Sequence, residues 1–272
     1  MKSHLFIYCL YLADNSLIAG QRNSEWTAHG PVLEQDIAIT NIALDLIGQA
    51  RNFYQYCCSI YNGMDKKDKE NCDYFIPVVW KSFNRELQED DLAFLRDERQ
   101  YLNVILVELP KGDWGFTVLR QFLFSSFQFF LYQQLQKSTD SQLAAIAEKS
   151  VKEVSYHLKW SSEWVIRLGD GTEESSERMK KSLLNLWPFT GELFATASFE
   201  KSAAANGYGA DLNSIQNDWF ENITTVLNEA NLEIPTNKWN QEGGKSGIHT
   251  EHMGYLLAEM QYMQRAYPNL TW

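Results

Sequence analysis

His157 stands three residues after Val154 in the run Lys152-Glu153-Val154-Ser155-Tyr156-His157, where a carboxylate-bridged di-iron helix would carry Glu-x-x-His. Residues three apart share a helix face. A Glu-x-x-His from each of two helices, with a lone carboxylate from each of two others, can therefore bind one pair of iron ions. Here the Glu position holds Val154, and an aliphatic side chain has no lone pair to donate. A chain with the layout of an oxygenase but without its ligands reads as a structural partner rather than a catalyst.

The other positions of such a site follow from a faint internal repeat. Asp45-Leu-Ile-Gly-Gln-Ala-Arg51 aligns with Glu153-Val-Ser-Tyr-His-Leu-Lys159, acid on acid and base on base. Duplicated helix hairpins place symmetric sites in bundles, although chance similarity of two amphipathic helices accounts for seven positions equally well. The repeat sets Leu46 and Gln49 against Val154 and His157. Glu25 is the candidate lone carboxylate of the first hairpin, and Ser125 occupies the lone position of the second. Of the six positions only Glu25 and His157 could coordinate, which is too few for a stable di-iron centre. Glu153 cannot simply replace Val154, because one residue is a turn of ~100° on a helix. No metal and no catalytic residue is assigned to this chain.

A lone helical His is more often a hydrogen-bonded core residue than a ligand. Asp45 with Gln49, and Glu153 with His157, are i,i+4 pairs. Polar pairing among them is expected to take the place of a metal, since buried polar groups need partners.

These residues must be held by helices. Ile39, Ala43, Leu46, Ala50, Phe53 and Cys57 form one face of a long helix, and Leu143, Ala147, Val151, Val154, Leu158, Ser161, Val165 and Leu168 form another. Asp90 and Asp91 begin a helix expected to run to about Leu109, before Pro110-Lys-Gly112. Residues 62–73 read as a polar loop. An aromatic helix follows from about Trp114 to Lys137, and a sixth starts at Thr172 with a kink at Pro188. Segments 211–231 and 250–266 are also helical, joined by a loop from Pro235 to Gly247. No strand pattern emerges. The expected fold is all-α, one domain over 1–272 built on a four-helix bundle with additional C-terminal helices.

Composition narrows the function. A net charge of −11 without a Lys/Arg cluster argues against nucleic acid. No apolar run reaches the ~18 residues of a membrane span. Leu5 to Ala13 resembles a short signal h-region, but Leu17 and Ile18 continue it as a buried first helix. Cys9, Cys57, Cys58 and Cys72 form no disulfide framework, which fits a reducing, cytoplasmic setting. Gly243-Gly-Lys245 lacks the strand and the Ser/Thr of a phosphate loop, and Asp170 to Glu174 lacks the spacing of a calcium loop.

Four stretches carry a resemblance: Asn41 to Arg51, Leu92 to Gln100, Glu153 to Leu158, and His249-Thr-Glu-His-Met-Gly254 with Leu257-Ala-Glu-Met-Gln-Tyr262. They resemble the C-subunit family of the bacterial phenylacetyl-CoA ring epoxidase. The resemblance implies a ferritin-like fold and a complex with a related A subunit that carries the di-iron centre. That complex inserts one oxygen atom into the aromatic ring, with electrons from a reductase using NADPH, flavin and an iron–sulfur cluster. The C subunit is then the non-catalytic scaffold, without a cofactor of its own. Leu46, Gln49, Ser125 and Val154 agree with that role, although family members often carry Asp where this chain has Ser125. Alone, such a scaffold is expected to self-associate or to expose an apolar patch. The competing reading is a free-standing metalloenzyme with an unusual or mononuclear site of Glu25, Asp45, Glu153 and His157.

Overall fold

The computed structural model describes residues 2–236 and 239–270. It is a ferritin-like all-α fold, with no strand among the described residues. Four long helices make the bundle: α1 (Lys2–Ser24), α2 (Leu33–Asn62), α6 (Trp114–Leu135) and α7 (Ser141–Gly169). Between the two hairpins lie the short helices α3 (Lys66–Cys72), α4 (Glu89–Phe94) and α5 (Ile105–Glu108). Beyond them follow α8 (Glu173–Leu186), α9 (Ser198–Ala205), α10 (Leu212–Glu229), α11 (Glu251–Met260) and α12 (Tyr262–Ala266).

Local chemistry sets the starts. The Asp113, Asp140 and Thr172 side chains accept the backbone N–H of Phe116, Leu143 and Ser175, capping α6, α7 and α8. Helix α6 is apolar nearly all round because α5, α7, α8 and α10 pack about it. Helix α1 is buried along most of its length, from Phe6 to Asn23. All four cysteines are buried free thiols. No helix among the described residues is long and apolar enough to cross a membrane.

Several expected boundaries need correction. The helix expected from Asp90 to Leu109 ends at Phe94. The chain opens there because Asp14 and Asn15 of α1 take the Leu102 and Val104 N–H groups at 2.8 and 3.0 Å. Arg96, wholly buried, pairs with the Asp14 carboxylate, which also accepts the Tyr54 hydroxyl at 2.6 Å. Residues 62–73 are not all loop, since Asp65 caps α3. There is no kink at Pro188. Helix α8 ends at Leu186, and Pro188 sits in a separate 3-10 turn, Trp187–Phe189. The segment 250–266 breaks at Gln261, whose amide turns inward to donate to Arg96 O and to the Tyr101 hydroxyl, both at 2.8 Å.

The loop before α11 is a structural clamp. Lys245 is buried and meets Glu200 at 2.9 Å, while Glu192 accepts Gly243 N and Ile105 N at 2.8 and 2.7 Å. A Cβ on Gly244 would collide with the Asn103 carbonyl oxygen, so only glycine lets the loop lie this close. Burial lowers the Lys245 pKa and raises that of Glu200, each opposed by the partner's charge.

Candidate functional site

The middle of the bundle brings α2 and α7 together antiparallel. His157 Nε2 lies 3.0 Å from Asp45 Oδ2, and Gln49 Nε2 donates to Glu153 Oε2 at 2.9 Å. The acid of each helix thus meets the polar residue of the other, across the helices. The i,i+4 pairs along each helix, Asp45 with Gln49 and Glu153 with His157, are not the pairs formed. On one helix both partners point the same way, whereas across the groove they point at each other.

Tyr132 of α6 donates to Gln49 Oε1 at 3.4 Å and accepts from Gln128 Nε2 at 3.3 Å, with Ser16 Oγ of α1 also 3.4 Å away. Burial pushes the Tyr132 hydroxyl up to about 12, so it is a proton donor at neutral pH. One level away, Asn23 Nδ2 donates to Gln121 Oε1 at 2.6 Å, and Gln121 Nε2 donates to Ser125 Oγ at 2.6 Å. Leu46, Val154, Ser125 and His157 are fully buried. The Asp45 side chain is 38% exposed, at the solvent lip of the α2/α7 groove.

Glu25 lies elsewhere. It follows the end of α1, its carboxylate holds Arg22 Nη1 at 2.6 Å, and none of its hydrogen bonds reaches Gln49, Ser125 or His157. A buried guanidinium one helical turn away is a stronger local attractor than an amide-lined interior. The sequence reading missed Asn23, Ser16, Gln121, Gln128 and Tyr132. The signal was present: Gln121, Ser125, Gln128 and Tyr132 are spaced four, three and four apart, a polar stripe on the aromatic helix.

The donor set can be tested against a metal pair. Two ferrous ions bring four positive charges and need anionic bridging ligands. The interior offers amides and hydroxyls bonded to one another, and among the described residues no group of three or more His, Cys, Asp and Glu is placed to hold a metal. A di-iron centre does not fit. Two buried atoms of the cluster have no hydrogen-bond partner, Gln128 Oε1 and His157 Nδ1, and Asp45 fixes the opposite nitrogen of the His157 ring. A carboxylate that fixes one ring nitrogen in this way is the outer-shell arrangement that orients ligating histidines in metal proteins.

Over residues 1–272 the chain matches the family described as phenylacetic acid catabolic protein. The chain belongs to that family. Within the phenylacetic acid catabolic proteins, it is 40% identical over 270 residues to the C subunit of the 1,2-phenylacetyl-CoA epoxidase of Escherichia coli (strain K12), covering 99% of this chain and 100% of that protein. This full-length match extends through the short helices between the hairpins and the C-terminal clamp as well as the bundle.

Proposed function

We propose that this chain is the non-catalytic structural subunit of a multicomponent di-iron oxygenase that epoxidises the ring of phenylacetyl-CoA in aerobic phenylacetate breakdown. One observation carries the reading. The positions where a di-iron bundle needs carboxylates hold Leu46, Val154 and Ser125, and the helices are joined instead by Asp45–His157 and Gln49–Glu153. The match to the C subunit of an epoxidase supports it. On this reading a single ferritin-like domain fills residues 1–272 in the cytoplasm, and the complex supplies the chemistry. The di-iron centre belongs to a ferritin-like A subunit, and NADPH, flavin and iron–sulfur belong to a reductase.

A second reading rests on the unpartnered His157 Nδ1, with the Asp45 and Glu153 carboxylates hydrogen-bonded across the same groove: a free-standing protein holding one metal there. Elemental analysis of protein from iron-rich medium separates the two, alongside co-expression with the A subunit and size exclusion. The structural-subunit reading expects no stoichiometric iron and co-elution at micromolar concentration. About two irons per chain would overturn it, and so would separate elution. A single stoichiometric metal lost in His157→Ala would favour the second reading.

A further inference from the structure

The C-terminal helices are held to the rest of the chain more by polar contacts than by apolar ones. In α11 only Met253, Leu256 and Leu257 are buried, and α12 buries none of its residues. What attaches them is a set of hydrogen bonds to the opened stretch 95–108. Gln261 and Arg265 donate to Arg96 O, Arg265 meets Asp97 at 3.0 Å, and Thr250 N donates to Glu108 Oε1 at 2.6 Å. Water can replace such bonds once a segment lifts, so a segment fixed this way belongs to the part of a protein that opens first. The other side of the same stretch is tied to α1 through the Leu102 and Val104 amides.

Lys245, buried against Glu200, anchors the near end of this segment. Gly247 follows with φ +72°, and a Cβ there would strike the Arg99 carbonyl oxygen, so glycine makes the turn. His249 comes next and closes the contact. Its Nδ1 lies 2.6 Å from Glu108 Oε2 and its Nε2 3.0 Å from Tyr101 O, and the side chains of His249 and Glu108 are wholly buried. A carbonyl oxygen only accepts, so Nε2 carries a proton, and the contact to the carboxylate holds a second one wherever along it that proton sits. Without the second proton, the Nδ1 lone pair would face a carboxylate that Asn103 Nδ2 and Thr250 N keep in place. Asp14 of α1 favours the proton, while Arg22 of α1, paired with Glu25 and donating to Glu108 O and His252 O, opposes it. Glu251 and His252 are the neighbouring titratable groups on the segment itself.

We propose that residues 249–266 form a lid, hinged at Gly247, that opens on loss of the proton held between His249 and Glu108 while the four-helix bundle stays folded. The closed form binds this proton and the open form releases it, so the lid is shut at low pH and loosens as pH rises through the titration of the pair. The upward net shift of His249 has the same sign. Opening uncovers Glu108 and the Tyr101 hydroxyl, to which Gln261 donates in the closed form. The device is independent of either reading of the function, since no partner and no metal takes part in it.

The test is hydrogen–deuterium exchange of the full-length chain, followed by mass spectrometry from about pH 6 to pH 9 and corrected for the intrinsic rate at each pH. Peptides within 249–266 should lose protection by about tenfold per pH unit above the titration of the pair, while peptides within α2 and α7 hold theirs. Glu108→Gln and His249→Gln should each abolish that dependence. Loss of protection in lid and bundle together would mean that the chain opens as one unit, and a lid whose protection ignores pH would mean that the proton does not hold it. Either result overturns the proposal. So does a dependence that survives in Glu108→Gln, because it would belong to another pair such as Lys245 and Glu200. If neither variant folds, the wild-type series decides alone, by whether the lid loses protection apart from the bundle.

Discussion

Asp45 and His157 meet across the α2/α7 groove at 3.0 Å, and the other nitrogen of the imidazole is buried without a partner in the chain. The carboxylate is half in water, so it reaches the ring at little desolvation cost. The ring itself is wholly buried. The pair orients a side chain whose second nitrogen takes up no hydrogen bond within the chain.

Gln49 should be worth more than its exposure suggests. Its amide gives one hydrogen bond to Glu153 and accepts one from Tyr132. Gln49→Leu leaves the buried Tyr132 hydroxyl without that acceptor, and the expected loss is ~1–3 kcal/mol. The double change with Tyr132→Phe should recover part of it. Urea unfolding of both variants measures the difference, and equal losses would show that the bond does not contribute.

Restoring carboxylates should have a cost that iron can offset. Leu46→Glu, Gln49→His, Ser125→Asp and Val154→Glu together place acids where the present side chains are buried. Desolvating an unpaired carboxylate costs several kcal/mol unless it takes up a proton. The apo variant should melt well below the parent, and ferrous iron should raise its Tm, because a ligand that binds only the folded state stabilises it. A variant that melts like the parent and ignores iron would mean the helices are not arranged around a former site.

Asp14→Ala should be among the most damaging single changes. The Asp14 carboxylate neutralises the wholly buried Arg96 and also accepts from Tyr54 and the Leu102 backbone. Removing one member of a buried pair leaves an uncompensated charge, with losses of ~3–5 kcal/mol. Chemical denaturation decides this. A loss below ~1 kcal/mol would mean that water reaches the guanidinium.

Stability should fall as pH rises through the titration of His249. Burial alone would lower its pKa, but the Glu108 carboxylate at 2.6 Å and the Tyr101 carbonyl at 3.0 Å both favour the proton, with Asp14 adding to the pull, and the net shift is upward. A folded pKa above the unfolded value contributes stability that is complete below ~6.5 and lost as pH rises through the folded pKa. Melts from about pH 6 to pH 9 should decline for the wild type and flatten for His249→Gln. An unchanged slope in that variant would assign the decline to other groups.

Helices α2 and α7 were legible because their apolar residues recur at helical spacing over many turns, and local pattern suffices for that. Between Leu95 and Val104 the sequence reads as helix. What opens it is the side chains of Asp14 and Asn15, more than eighty residues earlier, which no local pattern contains. The site divides the same way. Val154 and His157 announce themselves within one turn, whereas the pairing of Gln49 with Glu153 depends on which helices become neighbours. Glu25 misled because carboxylate chemistry says what a residue could bind and nothing of where it points; Arg22 had already claimed it. The polar stripe on α6 was hidden by the aromatic residues between its members.

An interior joined by amides and hydroxyls bears on how the molecule is made. Bundles drawn together by shared metal ions carry clustered carboxylates that repel one another until loading is complete, so their maturation waits on supply. Here Tyr132 bonds to Gln49, and Gln121 to Asn23 and Ser125, so these uncharged groups hold α1, α2 and α6 side chains together without clustered carboxylates. On the structural-subunit reading these groups need no metal to hold them together, and the fold should be the same with and without iron. On that reading the subunit would stand folded before a partner that must first acquire its metal.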